Sequence, residues 1–182
     1  MQTSGGLSKV RGWTLIEACA CVAVASILAG SAVGPMHSFL DGRRLEGMAS
    51  ELTTYVHHAR SEAVARSGGV RLSFLAAADG SRCTLMHTGP ATACSCSAGG
   101  VAHCNAPDAA LLRWQGSPAG QRVNVEANVV SMHFDPVRGA VSPAGTIRTA
   151  LPDGREVRHV VSVFGRVRSC SPEAKVPGYK AC

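Results

Sequence analysis

The sequence predicts an α+β fold in which one long amino-terminal helix packs across an antiparallel β-sheet or a small β-sandwich. Three observations carry this. An apolar run from Trp13 to Val33 has helical, membrane-scale length. Between Leu45 and Ala63 the apolar residues recur at alternating steps of three and four, the signature of a one-faced helix. From Val70 onward the apolar period drops to two, and only strands follow.

The first element is the run Trp13–Val33, 21 residues with one charged member, Glu17. Such a run is long enough to cross about 30 Å of hydrocarbon as a helix. An ionised carboxylate there costs several kcal/mol, so a lone intramembrane acid reads as a functional residue. Lys9 and Arg11 precede the run and keep that side cytoplasmic. A secretory signal would have a shorter apolar region ending in a small-residue cleavage site. A plain anchor would need neither Gly12 nor Glu17 at these positions.

Next, Gly34-Pro35 predicts a kink or interruption, because proline lacks an amide donor and crowds the preceding turn. The helix then resumes with Leu45, Ala49, Leu52, Val56, Ala59 and Ala63 on one face, a core stripe. Arg43, Arg44, Glu46, Glu51, Arg60 and Glu62 fall elsewhere and stay wet, and His57 and His58 lie off the stripe and need no ligand. Gly68-Gly69 is the expected stop.

Strands are expected at 70–76, 83–87, 111–115, 122–126, 130–134, 140–142, 146–150 and 156–164. Turn residues separate them: Asp79-Gly80, Pro136 with Gly139, Pro143 with Gly145, and Pro152-Asp153-Gly154. The stretch 88–110 is rich in Ala, Gly, Ser and Cys and reads as an irregular, disulfide-tied loop.

Cys19 and Cys21 lie in the apolar run and act as small apolar residues. The other six (Cys83, Cys94, Cys96, Cys104, Cys170, Cys182) form an even set that an oxidising compartment would pair. Cys170 with Cys182 is the expected bond, closing 171–181 into a loop and preventing terminal fraying. The pairing of the remaining four is open. Cys94, Cys96, His103 and Cys104 have residue types that suit zinc, but their spacing matches no common structural zinc pattern, so disulfides are favoured and no metal is expected.

The formal net charge is +6, and the segment after residue 12 carries 16 basic against 12 acidic side chains. The excess sits late: from Arg138 onward there are eight basic residues (Arg138, Arg148, Arg155, Arg158, Arg166, Arg168, Lys175, Lys180) and three acids. An enzyme is not expected. The chain has no G-x-S-x-G, H-E-x-x-H or Walker loop, and Gly99-Gly100 lacks the strand and helix a phosphate loop needs. No cofactor is implied.

Two resemblances sharpen these readings. Arg-Gly-Trp-Thr-Leu-Ile-Glu at 11–17 resembles the class III signal of type IV pilins and pseudopilins. The resemblance implies that prepilin peptidase cuts after Gly12 and methylates Trp13, where the family usually has Phe. It also implies that Glu17 serves assembly with other minor pilins or pseudopilins. Residues 43–66, running into Ala-Arg-Ser-Glu-Ala at 59–63, resemble the FimT/GspH branch. So does the later order Phe134-Asp135-Pro136, Arg138-Gly139, Gly145-Thr146-Ile147 and Gly165-Arg166-Val167-Arg168. Together they imply a type IV pilin-like fold, divided into a leader (1–12), a transmembrane helix (13–34) and an amphipathic helix (35–67). A β-rich domain (68–169) and a disulfide-closed basic tail (170–182) follow. The expected location is a single pass through the bacterial inner membrane, with a periplasmic carboxyl-terminal domain assembled into a pilus or pseudopilus.

Two functions then compete. A FimT-like minor pilin would bind double-stranded DNA for natural transformation. A GspH-like pseudopilin would be a structural tip subunit of type II secretion. In DNA-binding members a G-R-x-R motif and nearby tail lysines contact the nucleic acid, which here means Arg166, Arg168, Lys175 and Lys180. Guanidinium binds phosphate in a bidentate way, and alternate strand residues share a side. The plain alternative for this patch is a solvated surface.

Overall fold

The computed structural model describes residues 13–182; the expected leader with Gly12, and the side chains of residues 31–35, lie outside the described residues. One helix, α1 (Leu15–Ala65), precedes the strands β1 (Val70–Ala76), β2 (Arg82–Thr88), β3 (Cys94–Ser97), β4 (Val101–Cys104), β5 (Leu111–Ser117) and β6 (Asn124–Ala127). After them come β7 (Ser131–Phe134), β8 (Val141–Ser142), β9 (Gly145–Ala150), β10 (Glu156–Val161) and β11 (Val167–Cys170).

α1 runs without a break through Gly34 and Pro35, where the sequence predicted a kink or interruption. A proline removes one amide donor, and the hydrogen bonds of neighbouring turns carry the helix past it. The chain divides into two units, 1–40 and 41–182. In the first, Leu15, Ile16, Val22, Ile27 and Leu28 of α1 are exposed. Among the described residues no helix is long and apolar enough to cross a membrane. The expected span 13–34 includes residues 31–34, whose side chains are outside that set.

The second unit is built on the helical stripe. Leu45, Ala49, Leu52, Val56, Ala59 and Ala63 are all buried, joined by Tyr55. Leu52 through Ala63 pack with Leu72, Met86, Met132 and Phe134 of one sheet and with Ile147 and Val161 of another. Leu45 and Ala49 pack with Val123, Leu151, Val157 and Val176. Each such Leu or Val contributes roughly 1.5–3 kcal/mol by leaving water. Leu52→Ala, which also opens a cavity, costs about 2–5 kcal/mol.

The helix stops through a left-handed residue one position earlier than the glycines suggested. Ser67 has φ 49°. The Ser67 amide donates to the Val64 carbonyl at 3.2 Å and the Gly68 amide to the Ala63 carbonyl at 3.3 Å, closing the orphan carbonyls.

The strands form two antiparallel sheets, ordered β5-β2-β1-β7-β8 and β11-β10-β9-β6, with β3-β4 as a separate hairpin. That hairpin replaces the irregular loop expected at 88–110. Cys94 lies opposite Cys104 and is bonded to it, while Cys96 bonds to Cys83 of β2. Its own small residues (Ala93, Ala102) and half-cystines pack against Leu85 of β2. With no large apolar side chain on its buried face to mark the period, two disulfides add to what burial supplies. The last expected strand, 156–164, ends instead at Val161, because a turn follows.

Candidate functional site

The site the sequence singled out lies on the hairpin of β10 and β11. Val161 pairs with Val167 and Val160 with Arg168. The turn is fixed by three bonds: the Gly165 amide donates to the Ser162 carbonyl (2.8 Å), the Ser162 amide to the Arg166 carbonyl (3.0 Å), and the Arg166 amide to the Ser162 hydroxyl (3.3 Å). Gly165 sits at φ 70°, a region that favours glycine.

Arg166 therefore precedes β11 instead of alternating with Arg168 inside it. The two still share a side. Val160, Ser162, Phe164, Arg166 and Arg168 line one open concavity of about 330 Å³. Both arginines are exposed, and among the described residues neither has a carboxylate within ion-pair distance. Phe164 is 73 % exposed in the same lining. The sequence reading absorbed it into a strand and missed it; the signal was Gly165, which converts a strand end into a turn that presents the ring.

The tail is closed by the Cys170–Cys182 bond. Two further anchors hold it. Ser171 is buried, donating its amide to the Lys180 carbonyl (2.9 Å), accepting from the Cys182 amide at its carbonyl (3.3 Å) and from the Val176 amide at its hydroxyl (3.3 Å). Val176 is buried against Leu45 and Ala49. Lys175 Nζ lies 2.9 Å from Glu173, a pair that holds the carboxyl below and the ammonium above their usual values through their mutual hydrogen bond. Lys180 is exposed, with no ion pair among the described residues. So Arg166 and Arg168 are brought together, while Lys175 and Lys180 lie on the closed tail and line no part of that concavity.

Much of the late basic excess is engaged in structure. Arg148 bonds Glu156 and lies 3.8 Å from Glu126, Arg158 is 2.6 Å from Glu156, and Arg155 is 2.7 Å from Asp153. Burial raises the Glu156 carboxyl, but hydrogen bonds from Arg148 and Arg158 outweigh this and hold it below the usual range. Subtracting these pairs leaves Arg138, Arg166, Arg168 and Lys180 as the late cations without a carboxylate among the described residues.

Behind the hairpin, His159 is buried with Nδ1 2.8 Å from the Ser169 hydroxyl and 3.3 Å from the Thr53 hydroxyl. Burial pushes its pKa down to about 4. Cys94, Cys96 and Cys104 are all disulfide-bonded and supply no thiolate for zinc, and among the described residues no group of three or more His, Cys, Asp or Glu suits a metal. Trp13 and Glu17 are exposed at the start of the described chain, and the Glu17 amide donates to the Thr14 hydroxyl at 3.4 Å.

The family model for type II transport protein GspH matches residues 48–165, ending one residue before Arg166. The fold is similar to that of the type IV minor pilin FimU of Pseudomonas aeruginosa strain PAO1, with 20% identity and a TM-score of 0.52 over 75% of this chain and 95% of that one. A second crystal form of FimU gives 22% identity and a TM-score of 0.48, over 74% and 98%. At these identities the likeness concerns the fold. No curated protein matches the chain.

Proposed function

The chain belongs to the GspH family of type II transport proteins, and from that premise we propose that it is a minor pilin that binds double-stranded DNA for uptake in natural transformation. The observation that carries this reading is the pair Arg166 and Arg168, exposed, without carboxylates among the described residues, and lining one concavity beside Phe164. Two unneutralised guanidinium groups on one side match phosphate oxygens in charge and geometry. Binding of this kind is sequence-independent and falls steeply with salt.

The amino-terminal features complete the reading. The leader is cut after Gly12, Trp13 becomes the methylated first residue, and residues 13–34 cross the inner membrane once, leaving the rest periplasmic. Glu17 pairs with the charged amino terminus of a neighbouring pilin in the filament, because a buried charge without a partner is far more costly than a pair. The chain is then a substrate of prepilin peptidase and carries no catalysis or cofactor of its own.

A structural tip subunit of type II secretion is the second reading, favoured by the description of the matched family. It needs no nucleic acid. The test is a gel shift of the full mature chain in detergent with a short DNA duplex. Arg166→Gln with Arg168→Gln should remove most binding and flatten the log–log salt dependence by about two, at roughly 0.9 per phosphate. Absence of a shift by the wild type at low salt would hand the assignment to the secretion reading.

A further inference from the structure

Two turns meet beside the hairpin. One is Ser162–Arg166; the other, between β7 and β8, is 135–140, where the Gly139 amide donates to the Asp135 carbonyl at 2.9 Å. They are butted together: a Cβ on Gly165 would fall 2.9 Å from the Gly139 carbonyl oxygen, and the Val141 amide donates to the Val163 carbonyl at 2.8 Å. Arg60 of α1 runs across the seam. A Cβ on Gly139 would lie 2.6 Å from its Nε, and one on Gly165 3.2 Å from its Cδ. Three separated segments thus converge, and each brings an arginine: Arg60, Arg138 next to Gly139, and Arg166 next to Gly165.

All three arginines are exposed and, among the described residues, have no ion pair. The single acid of the two turns, Asp135, uses Oδ1 to accept from the Val137 (3.0 Å) and Arg138 (2.9 Å) amides. Val137, next to Arg138 in its turn, and Phe164, next to Gly165 in the other, are 83 % and 73 % exposed. Like charges carried on segments that touch favour an anion between them. A protein partner would need a carboxylate for each, whereas a phosphodiester backbone supplies its charges at regular spacing.

We infer that Arg60 and Arg138 join Arg166 and Arg168 in one phosphate-contacting surface, carrying the nucleic acid from the hairpin across the joined turns to the exposed face of α1. This rests on the DNA reading above and extends it to two residues outside the Gly-Arg-x-Arg segment. With Lys180 it makes five phosphate contacts, so log affinity against log salt has a slope of about −4.5, against about −2.7 for the hairpin and tail alone.

The experiment measures that slope by fluorescence anisotropy of a labelled duplex, using the full mature chain in detergent. Arg60→Gln with Arg138→Gln should bring the slope to about −2.7 with an unchanged melting temperature. Gln keeps the stem that covers the two glycines. Arg60→Lys with Arg138→Lys should keep the wild-type slope, which a packing role for the arginine fork would not allow. A wild-type slope near −2.7 that the Gln pair leaves alone, with binding still lost in Arg166→Gln/Arg168→Gln, overturns the inference and leaves DNA binding standing. A wild type that binds no DNA overturns both. Gln variants that bind DNA normally but drop out of the purified filament make the face a protein contact and overturn the inference alone.

Discussion

Gly165 and Gly139 touch: a methyl group on the first would stand 2.9 Å from the carbonyl oxygen of the second. The glycine that opens Gly-Arg-x-Arg is therefore a packing requirement as well as a conformational one. Gly154, at φ 87° with nothing within 4 Å of its would-be Cβ, isolates the conformational part. Gly154→Ala should cost about 1 kcal/mol and Gly165→Ala about 1–3 kcal/mol more, read from denaturant midpoints. Equal losses would mean the turns do not press on each other.

His159 makes stability depend on pH. Its folded pKa of about 4 lies below the ordinary histidine value of 6.5, so between these limits the unfolded chain binds the extra proton. Stability is present above about 6.5 and is lost as pH falls toward 4, by up to about 3 kcal/mol at 1.36 kcal/mol per unit. His87, also lowered by burial, acts with the same sign. His159→Asn should flatten the fall in unfolding free energy across this window but not abolish it. A variant whose pH dependence equals the wild type's would show that His159 takes up its proton without unfolding.

The sequence disclosed elements wherever one physical signal dominated. Steps of three and four marked the α1 stripe residue by residue, and alternation placed β1 at its observed bounds. It failed where two signals competed. Pro35 weakens a helix, yet the flanking residues hold it. Val157, Val161 and Phe164 read as one strand until Gly165 is seen to turn the chain. In β3 and β4 the inward positions are half-cystines and an alanine, a weak apolar signal, and disulfides add to the order. For the site, Arg166 and Arg168 stand two positions apart in one motif and were readable. Arg60 and Arg138 were not, because 77 residues lie between them and only the fold lays the Arg60 side chain against Gly139.

Processing and assembly come next. Amino-terminal mass spectrometry of the mature protein should find a methylated Trp13, and Gly12→Val should leave residues 1–12 attached. A start at any other residue removes the pilin-type signal. Glu17→Ala should still insert in the membrane but not co-purify with filament neighbours, since the partner's amino terminus is left as a buried, unpaired charge. Normal co-purification of that variant would place the assembly contact elsewhere.

The tail has three anchors, and they should separate. Replacing Cys170 and Cys182 by Ser removes a bond spanning 12 residues, worth roughly 3 kcal/mol of loop entropy. The Val176 amide stays bonded to the Ser171 hydroxyl and the Val176 side chain stays under Leu45 and Ala49. The Ser171, Val176 and Tyr179 amides should therefore remain protected from hydrogen exchange in the cysteine-free variant, at reduced global stability. Val176→Ala alone should cost about 1–3 kcal/mol by cavity formation, with the disulfide still closing the loop. Both changes together leave only the Ser171 hydrogen bonds and should loosen the tail, and then Lys180 contributes less to DNA affinity because ordering its segment opposes binding. Full exchange at Val176 on loss of the disulfide alone would make the covalent bond the sole anchor and Val176 a passenger.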